Sequence, residues 1–424
     1  MGRLLKLKRV AASGAMLAGA SVLAQGMFSS RPALAADPVE CSTLPGVVYV
    51  SGSSAVQPVL QGLSKTLGPD GTTIVYFKQG SCVGVNAILG TLQAAGTGVI
   101  WDAAGVAGTC TLSASQAVDV GVSDVFATSC PGVTKQMVTD KSLKDYDTFF
   151  AQVMEFVVNK GSDQTAISAE AAYLTFGLGN DGATPWSNQA LFAVRDSGSG
   201  TQTMLSKAIG LDATKWKGVN AGGSGAVFAA IAGSLTPVEK ANPAGAADPK
   251  KLIGILSSGE ADADTINIKK LAFQGYDQTC AFWADSGVSA KDKKYVRDGH
   301  YPVWGPLHVL AKANAQGVPT SAAAKALIDT FAAQDQAILD IEIAAHVVPL
   351  CAMNVARDEE VGPLTSIQPA GSCGCYFDDS TKAGGAADEC YAKVTTTKKT
   401  QCETNADCTS AARSKCNYGF CEVK

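Results

Sequence analysis

The residues best equipped for chemistry in this chain form one run, Arg195-Asp196-Ser197-Gly198-Ser199-Gly200-Thr201. The apolar segment Ala190–Val194 before it reads as a buried strand, and Thr203–Ile209 after it has the apolar spacing of a helix. A strand, a glycine-rich turn and a helix start make an anion site. First-turn N–H groups have no intrahelical acceptor, and the helix dipole favours negative charge beside them. Glycine lets backbone approach a ligand closely. Ser199 and Thr201 add hydroxyl donors, and Arg195 adds a planar fork that fits an oxyanion. Taken alone, the same run also reads as a solvated loop that only caps a helix.

Asp196-Ser197-Gly198 resembles the nucleophile segment of trypsin-like proteases. A hydrolase built on Ser197 or Ser199 needs a histidine base. The chain has only His300, His308 and His346, all far downstream, whereas that family places its histidine well before the serine. A binding protein rather than an enzyme is therefore expected. Neither His308 nor His346 has a partner at metal-ligand spacing, and no metal or cofactor is expected.

The elements that must position the run repeat its design. Val47–Val50 reads as a strand, followed by the small-residue turn Ser51–Gln57 and a helix carrying Val59, Leu60, Leu63 and Leu67. Ile74–Phe77 is a strand followed by Gly80-Ser81-Cys82-Val83-Gly84 and a helix from Val85 to Leu92. Three turns of one design favour the anion reading over any one alone. Val118–Asp124 reads as a strand ending in a carboxylate. On its own Asp124 is a turn or capping residue. Residues 94–117 read as an irregular insertion. Phe149–Asn159 is a long extended run, a candidate passage into a second domain, and Ile268–Phe273 reads as the return passage. Ala221-Gly222-Gly223-Ser224-Gly225 precedes a helix from Ala226 to Ala232, and His300–Leu310 is an extended segment of the first domain.

Length and composition bound the rest. The 424 residues open with a basic segment, an apolar run from Val10 to Ala24, and Ala33-Leu34-Ala35, which fits a secretory cleavage site. Residues 1–35 thus read as a signal peptide. Cleavage near Ala35 leaves 29 basic against 38 acidic residues, which argues against binding nucleic acid or an anionic membrane. No later apolar run is long enough to span a membrane. All 13 cysteines lie beyond the leader, which in an exported protein favours disulfides over metal sites. Seven crowd the segment from Pro369 onward, where large apolar residues vanish and disulfide staples must replace a core. Their spacing is too loose for a zinc knuckle. An odd total leaves at least one thiol free or intermolecular.

Across residues 46–352 these motifs resemble the phosphate-binding solute receptors of ABC importers. Gly52–Pro58 looks like that family's first phosphate loop and Gly80–Gly84 its second. Val118–Asp124 resembles its segment ending in Ser-Asp, and Arg195–Thr201 its Arg-x-x-Gly-Ser-Gly-Thr loop. Tyr301–Leu307 and Val348–Leu350 are similar to its later signatures, with Gly305 where arginine is usual. The resemblance implies an α/β, two-lobed Venus-flytrap fold of the type II periplasmic-binding-protein kind with two hinge crossovers, plus a small disulfide-rich C-terminal tail. Lobe 1 would comprise residues 36–150 and 270–368, lobe 2 residues 151–269, and the tail residues 369–424. By matched position Ser54, Ala55, Ser81, Asp124, Arg195, Ser199, Gly200 and Thr201 would contact phosphate, with Ser53 a neighbour. Asp124 would accept the proton that phosphate carries and sulfate lacks. The implied protein is a periplasmic monomer that delivers inorganic phosphate to ABC permease subunits. The alternative is an extracellular or cell-surface phosphate-binding module whose tail contacts a partner.

Overall fold

The computed structural model describes residues 39–146, 149–233, 248–381, 390, 394–395, 397–398 and 400–423. The signal peptide expected at residues 1–35 lies outside them. The fold is mixed α/β and two-lobed, each lobe built on one sheet. Runs rich in Val, Ile and aromatic residues, largely buried on both faces, make the parallel centre of the first sheet. In spatial order these strands are Thr73–Lys78, Val47–Gly52 and Val120–Ser123, with His308–Lys312 antiparallel beside the last. The second sheet repeats the arrangement. Val219–Asn220, Phe192–Val194 and Ile253–Ser257 are parallel, and Phe150–Asn159 runs antiparallel beside the last. In both sheets the first parallel strand in the chain lies between the second and the third.

Phe150–Asn159 is the spine between the lobes. Its first half pairs with Trp304–Pro306 and Val348–Pro349, its second half with Ile253–Ser257 and Ile268–Lys270. Trp304–Pro306 leads directly into His308–Lys312 of the first sheet, and the Leu307 amide donates to the Phe150 carbonyl at 2.8 Å. The return passage therefore runs through residues 303–312. Ile268–Phe273, read from sequence as that passage, forms two short strands of the second lobe instead, pairing with Phe150–Asn159 and with Ala166–Ser168. Both segments are short, apolar and extended, so local pattern does not separate them.

Residues 94–117 are also more regular than their composition suggests. Ala94–Trp101 and Ala107–Gln116 form an antiparallel hairpin on the edge of the first sheet, pinned by the Cys41–Cys110 disulfide. Small and polar residues hide the strand signal, and pairing with Thr73–Lys78 supplies the order.

A closed ring of four buried charges braces the second lobe. Lys270 Nζ donates to Asp262 Oδ1 at 2.6 Å and to Asp285, while Lys293 Nζ donates to Asp285 Oδ1 at 2.8 Å and to Asp262. All four side chains are at most 2% exposed. Glu155, on the spine strand, interacts with the same lysines. Burial pushes its carboxyl up to about 7.

The tail is stapled and docked. Cys351–Cys373 ties it to the body, and Cys375–Cys390, Cys402–Cys416 and Cys408–Cys421 close short loops within it. Closing a loop of this size contributes roughly 3 kcal/mol by restricting the unfolded chain. Helix Gly374–Thr381 lies against the body, where the Arg297 guanidinium pairs with Asp378 and sits 5.0 Å from the Phe377 ring centre. Tyr418 Oη donates to the Gln334 carbonyl at 2.8 Å. With Cys82–Cys130, twelve cysteines are paired, and the one left over is the exposed Cys280.

Candidate functional site

Open α/β sheets place ligands at the carboxyl ends of their parallel strands. Both sheets present those ends to each other here, three loops from each lobe. In the first lobe, Val47–Gly52 ends at Ser53, and the chain turns through Ser54–Val56 into helix Gln57–Leu67. Gly80, at φ 111°, turns the end of Thr73–Lys78 into helix Ser81–Ile88, a conformation glycine adopts without strain. Val120–Ser123 ends at Asp124. Ser53 Oγ donates to Asp124 Oδ2 at 2.5 Å and Ser81 Oγ to the same oxygen at 3.1 Å. Asp124 Oδ1 is buried and has no hydrogen-bond partner among the described residues.

In the second lobe, Phe192–Val194 ends at Arg195, and helix Gly200–Ile209 starts after the Asp196–Ser199 turn. Asp196 Oδ1 shapes that turn by accepting the Gly198 amide at 2.8 Å. Gln202 Oε1 accepts the Arg195 amide at 2.9 Å. The Arg195 guanidinium is aimed by Nε donating to the Gly222 carbonyl and Nη1 donating to Ser224 Oγ at 2.8 Å. Ser224 is the first residue of helix Ser224–Ala232. The third loop follows Ile253–Ser257 and enters the short helix Ser258–Ala263, where Ser257 Oγ donates to Glu260.

The two sets of loops touch. Ser54 Oγ and Ser224 Oγ lie 2.9 Å apart, and the Cys82 amide donates to the Gly198 carbonyl at 3.0 Å. Ser258 Oγ donates to the His346 carbonyl at 2.8 Å. Gly200 marks the closest approach: a Cβ there would stand 2.2 Å from Ser81 Oγ and 2.8 Å from Asp124 Oδ2. Gly200→Ala should therefore wedge the lobes apart. Overpacking costs about 1–3 kcal/mol, so urea unfolding should show Gly200→Ala less stable than the parent by roughly that amount wherever the lobes stay in contact.

The electrostatics suit an anion that also carries a proton. Burial raises the Asp124 carboxyl above the ordinary carboxylate range, opposed by the hydroxyls of Ser53 and Ser81 and by the charge of Arg195. Burial lowers Arg195, opposed by Asp196, Glu260 and Asp124. Arg195 forms no ion pair with either Asp124 or Glu260 among the described residues, although both act on it. Tyr76, also fully buried, donates its hydroxyl to the Ser53 carbonyl.

The structure brings Ser53, Ser54, Ala55, Ser81, Asp124, Arg195, Ser199, Gly200 and Thr201 into one buried zone at the meeting of the lobes. Sequence reasoning passed over Ser224 and Glu260. The signal for Ser224 is the small-residue turn Gly222-Gly223-Ser224 ahead of an apolar helix. Placing the helix start at Ala226 removed Ser224 from the first turn, and the observed helix begins two residues earlier. Three cysteine sulfurs that lie within 4.8 Å of one another, those of Cys402, Cys408 and Cys421, are committed to disulfides.

No protein-family model and no curated protein matches this chain. Among solved structures, the chain is similar to a Clostridium perfringens protein crystallised with bound phosphate and assigned to the phosphate ABC transporter substrate-binding proteins. That similarity has 16% identity, 71% of this chain, 98% of that one and a TM-score of 0.46. It is also similar to an ABC-type phosphate transport receptor from Vibrio cholerae, with 13% identity, 71% and 99% of the two chains and a TM-score of 0.45. A third is the regulatory domain of Synechocystis CcmR in complex with 2-PG, with 11% identity, 69% and 98% of the chains and a TM-score of 0.37.

Proposed function

We propose that this chain is an exported solute-binding protein that closes its lobes around inorganic phosphate and passes it to an ABC-type importer. The observation that carries the proposal is the presence of a guanidinium, Arg195, and an unpaired carboxylate, Asp124, in one buried site. Asp124 Oδ1 is buried and has no partner among the described residues, the one charged acceptor among hydroxyls and helix starts that can donate. A buried anion must be hydrogen-bonded throughout. The starts of the helices at Gln57, Ser81, Gly200 and Ser224, the serine and threonine hydroxyls and Arg195 provide for its bare oxygens. Its protonated oxygen donates to Asp124. Entry requires the sheets to part about the two passages at residues 150–159 and 303–312.

The six disulfides fit an oxidising compartment, and the leader-like N-terminal sequence supports export to the periplasm. A hydrolase reading has no support in the geometry. Among the described residues His308 Nδ1 pairs with Asp145 at 2.7 Å and His300 Nδ1 with Asp298 at 2.7 Å, and neither ring hydrogen-bonds to Ser197 or Ser199. The docked, disulfide-stapled tail favours one second reading, a phosphate-binding module that meets a surface partner through the tail.

Calorimetric titration with phosphate and then sulfate tests the proposal. The parent should bind phosphate saturably and ignore sulfate, which would leave Asp124 facing an unprotonated oxygen. Asp124→Asn should narrow that preference by about tenfold or more, since an unpaired buried group costs roughly 1–3 kcal/mol or more when charged. Equal discrimination in Asp124→Asn and parent would refute the role given to Asp124. Binding of neither anion by the parent would refute the phosphate reading.

A further inference from the structure

The two lobes are topological counterparts, loop for loop. In each, the first parallel strand in the chain ends in a loop that enters a helix: Ser53–Val56 in one lobe, Arg195–Ser199 in the other. In each, the second strand leads to a serine at the first position of a helix, Ser81 and Ser224. In each, the third strand borders an antiparallel strand of the passage between lobes and is followed by a carboxylate. In the first lobe that carboxylate is Asp124. In the second it is Glu260, two residues into helix Ser258–Ala263.

We propose that Glu260 is a second specificity-determining carboxylate, so that the closed site holds its oxyanion with two protons, as monobasic rather than dibasic phosphate. The inference rests on the phosphate reading above. Asp124 and Glu260, at the ends of corresponding strands in the two lobes, both act on the charge of Arg195, and among the described residues neither pairs with it. An anion placed among the three meets one cation and two carboxylates. The groups acting on Glu260 are Ser257, which donates to one of its oxygens, Arg195, Lys78 at the exposed end of its strand, and Asp124. Tyr76, behind the Ser53 loop, feels both carboxylates. Around Arg195 stand three carboxylates, Asp124, Glu260 and the half-buried Asp196, with Lys78 exposed at the end of its strand and His308 buried beside Asp124. A dianion there would be repelled by both lobes. An anion with two hydroxyls gives one proton to each carboxylate and presents its two bare oxygens to Arg195 and the helix starts. Burial raises Glu260 as it raises Asp124, which favours the same two-proton state from the protein side. Whether the second proton rests nearer the ligand or nearer Glu260 leaves the proton count unchanged.

The count is directly measurable. Titration calorimetry of the mature protein with inorganic phosphate, in buffers of different ionisation enthalpy, reports protons taken up on binding. Above the second ionisation of free phosphate, the parent should take up one proton and lose affinity about tenfold per pH unit. Glu260→Gln should remove both the uptake and the slope, and should bind phosphate at least tenfold more tightly than the parent at alkaline pH. Ser257→Ala, which frees Glu260 while keeping its charge, should retain the slope. Phosphate binding by the parent with constant affinity through that ionisation and no proton uptake would overturn the inference and leave the phosphate reading standing. Absence of phosphate binding at every pH would overturn both. The parent measurement decides the matter even if Glu260→Gln fails to fold.

Discussion

Arg195→Ala is expected to reduce phosphate affinity by about two to three orders of magnitude. The side chain is 5% exposed, and its Nε and Nη1 are already committed to the Gly222 carbonyl and Ser224 Oγ. Those two contacts fix the plane of the guanidinium, so its remaining N–H groups meet the ligand without a search among rotamers. Removing one partner of a buried, hydrogen-bonded charge pair costs about 2–5 kcal/mol or more, much of it from stranding the other charge. Here the stranded charge would be the anion, with Asp124 and Glu260 still repelling it. Arg195→Lys should recover only part of the loss, because an ammonium cannot reach Gly222, Ser224 and the ligand together. Titration calorimetry with phosphate checks both variants, with circular dichroism to confirm that the second lobe stays folded. Affinity within threefold of the parent for Arg195→Ala would place the anion elsewhere.

The second large effect concerns stability. Lys293→Met should destabilise the protein by about 3–5 kcal/mol, the cost of stranding buried charge when one member of an ion-pair network is removed. Asp262 and Asp285 would then share the single cation of Lys270. Methionine keeps the unbranched apolar stem as far as Cε and removes the ammonium, so most of the loss comes from the charge. Adding Asp285→Asn to Lys293→Met should return part of the stability, because it restores the balance between acids and bases in the ring. Urea unfolding measures all three proteins. The parent has its own pH signature from Glu155. Its folded pKa lies near 7, above the ordinary glutamate value. Between those values the folded state holds a proton the unfolded state has released, so this group's contribution makes stability fall as pH rises through that window and then level off. Equal urea midpoints for parent and Lys293→Met would show that the ring contributes nothing.

How far the sequence could be read depended on the range of the interaction. Strand, small-residue turn and helix start are contiguous in the chain, so the loops at Ser53, Ser81 and Arg195 could be found from local pattern. Asp124 could be found because it ends an apolar run. Glu260 could not, because it lies inside Ser258–Ala263, a stretch with the composition of any exposed helix. Only the order of strands in the second sheet makes it the counterpart of Asp124. The charge ring was equally hidden. Asp262, Lys270, Asp285 and Lys293 come from a helix, a strand and a long loop, and no periodicity links them. The hairpin at residues 94–116 was missed because its order is borrowed from a neighbouring strand and the Cys41–Cys110 disulfide.

Twelve of the thirteen cysteines are locked in disulfides, and the remaining one, Cys280, is exposed on a segment that packs with the second lobe. The native chain therefore carries a single addressable thiol. A maleimide dye or nitroxide placed there would label one defined position with no cysteine introduced and no disulfide disturbed. Because that position rides on one lobe, the label reports on the surroundings of that lobe in the unmodified sequence and gives the proposed closure around an anion a direct spectroscopic test.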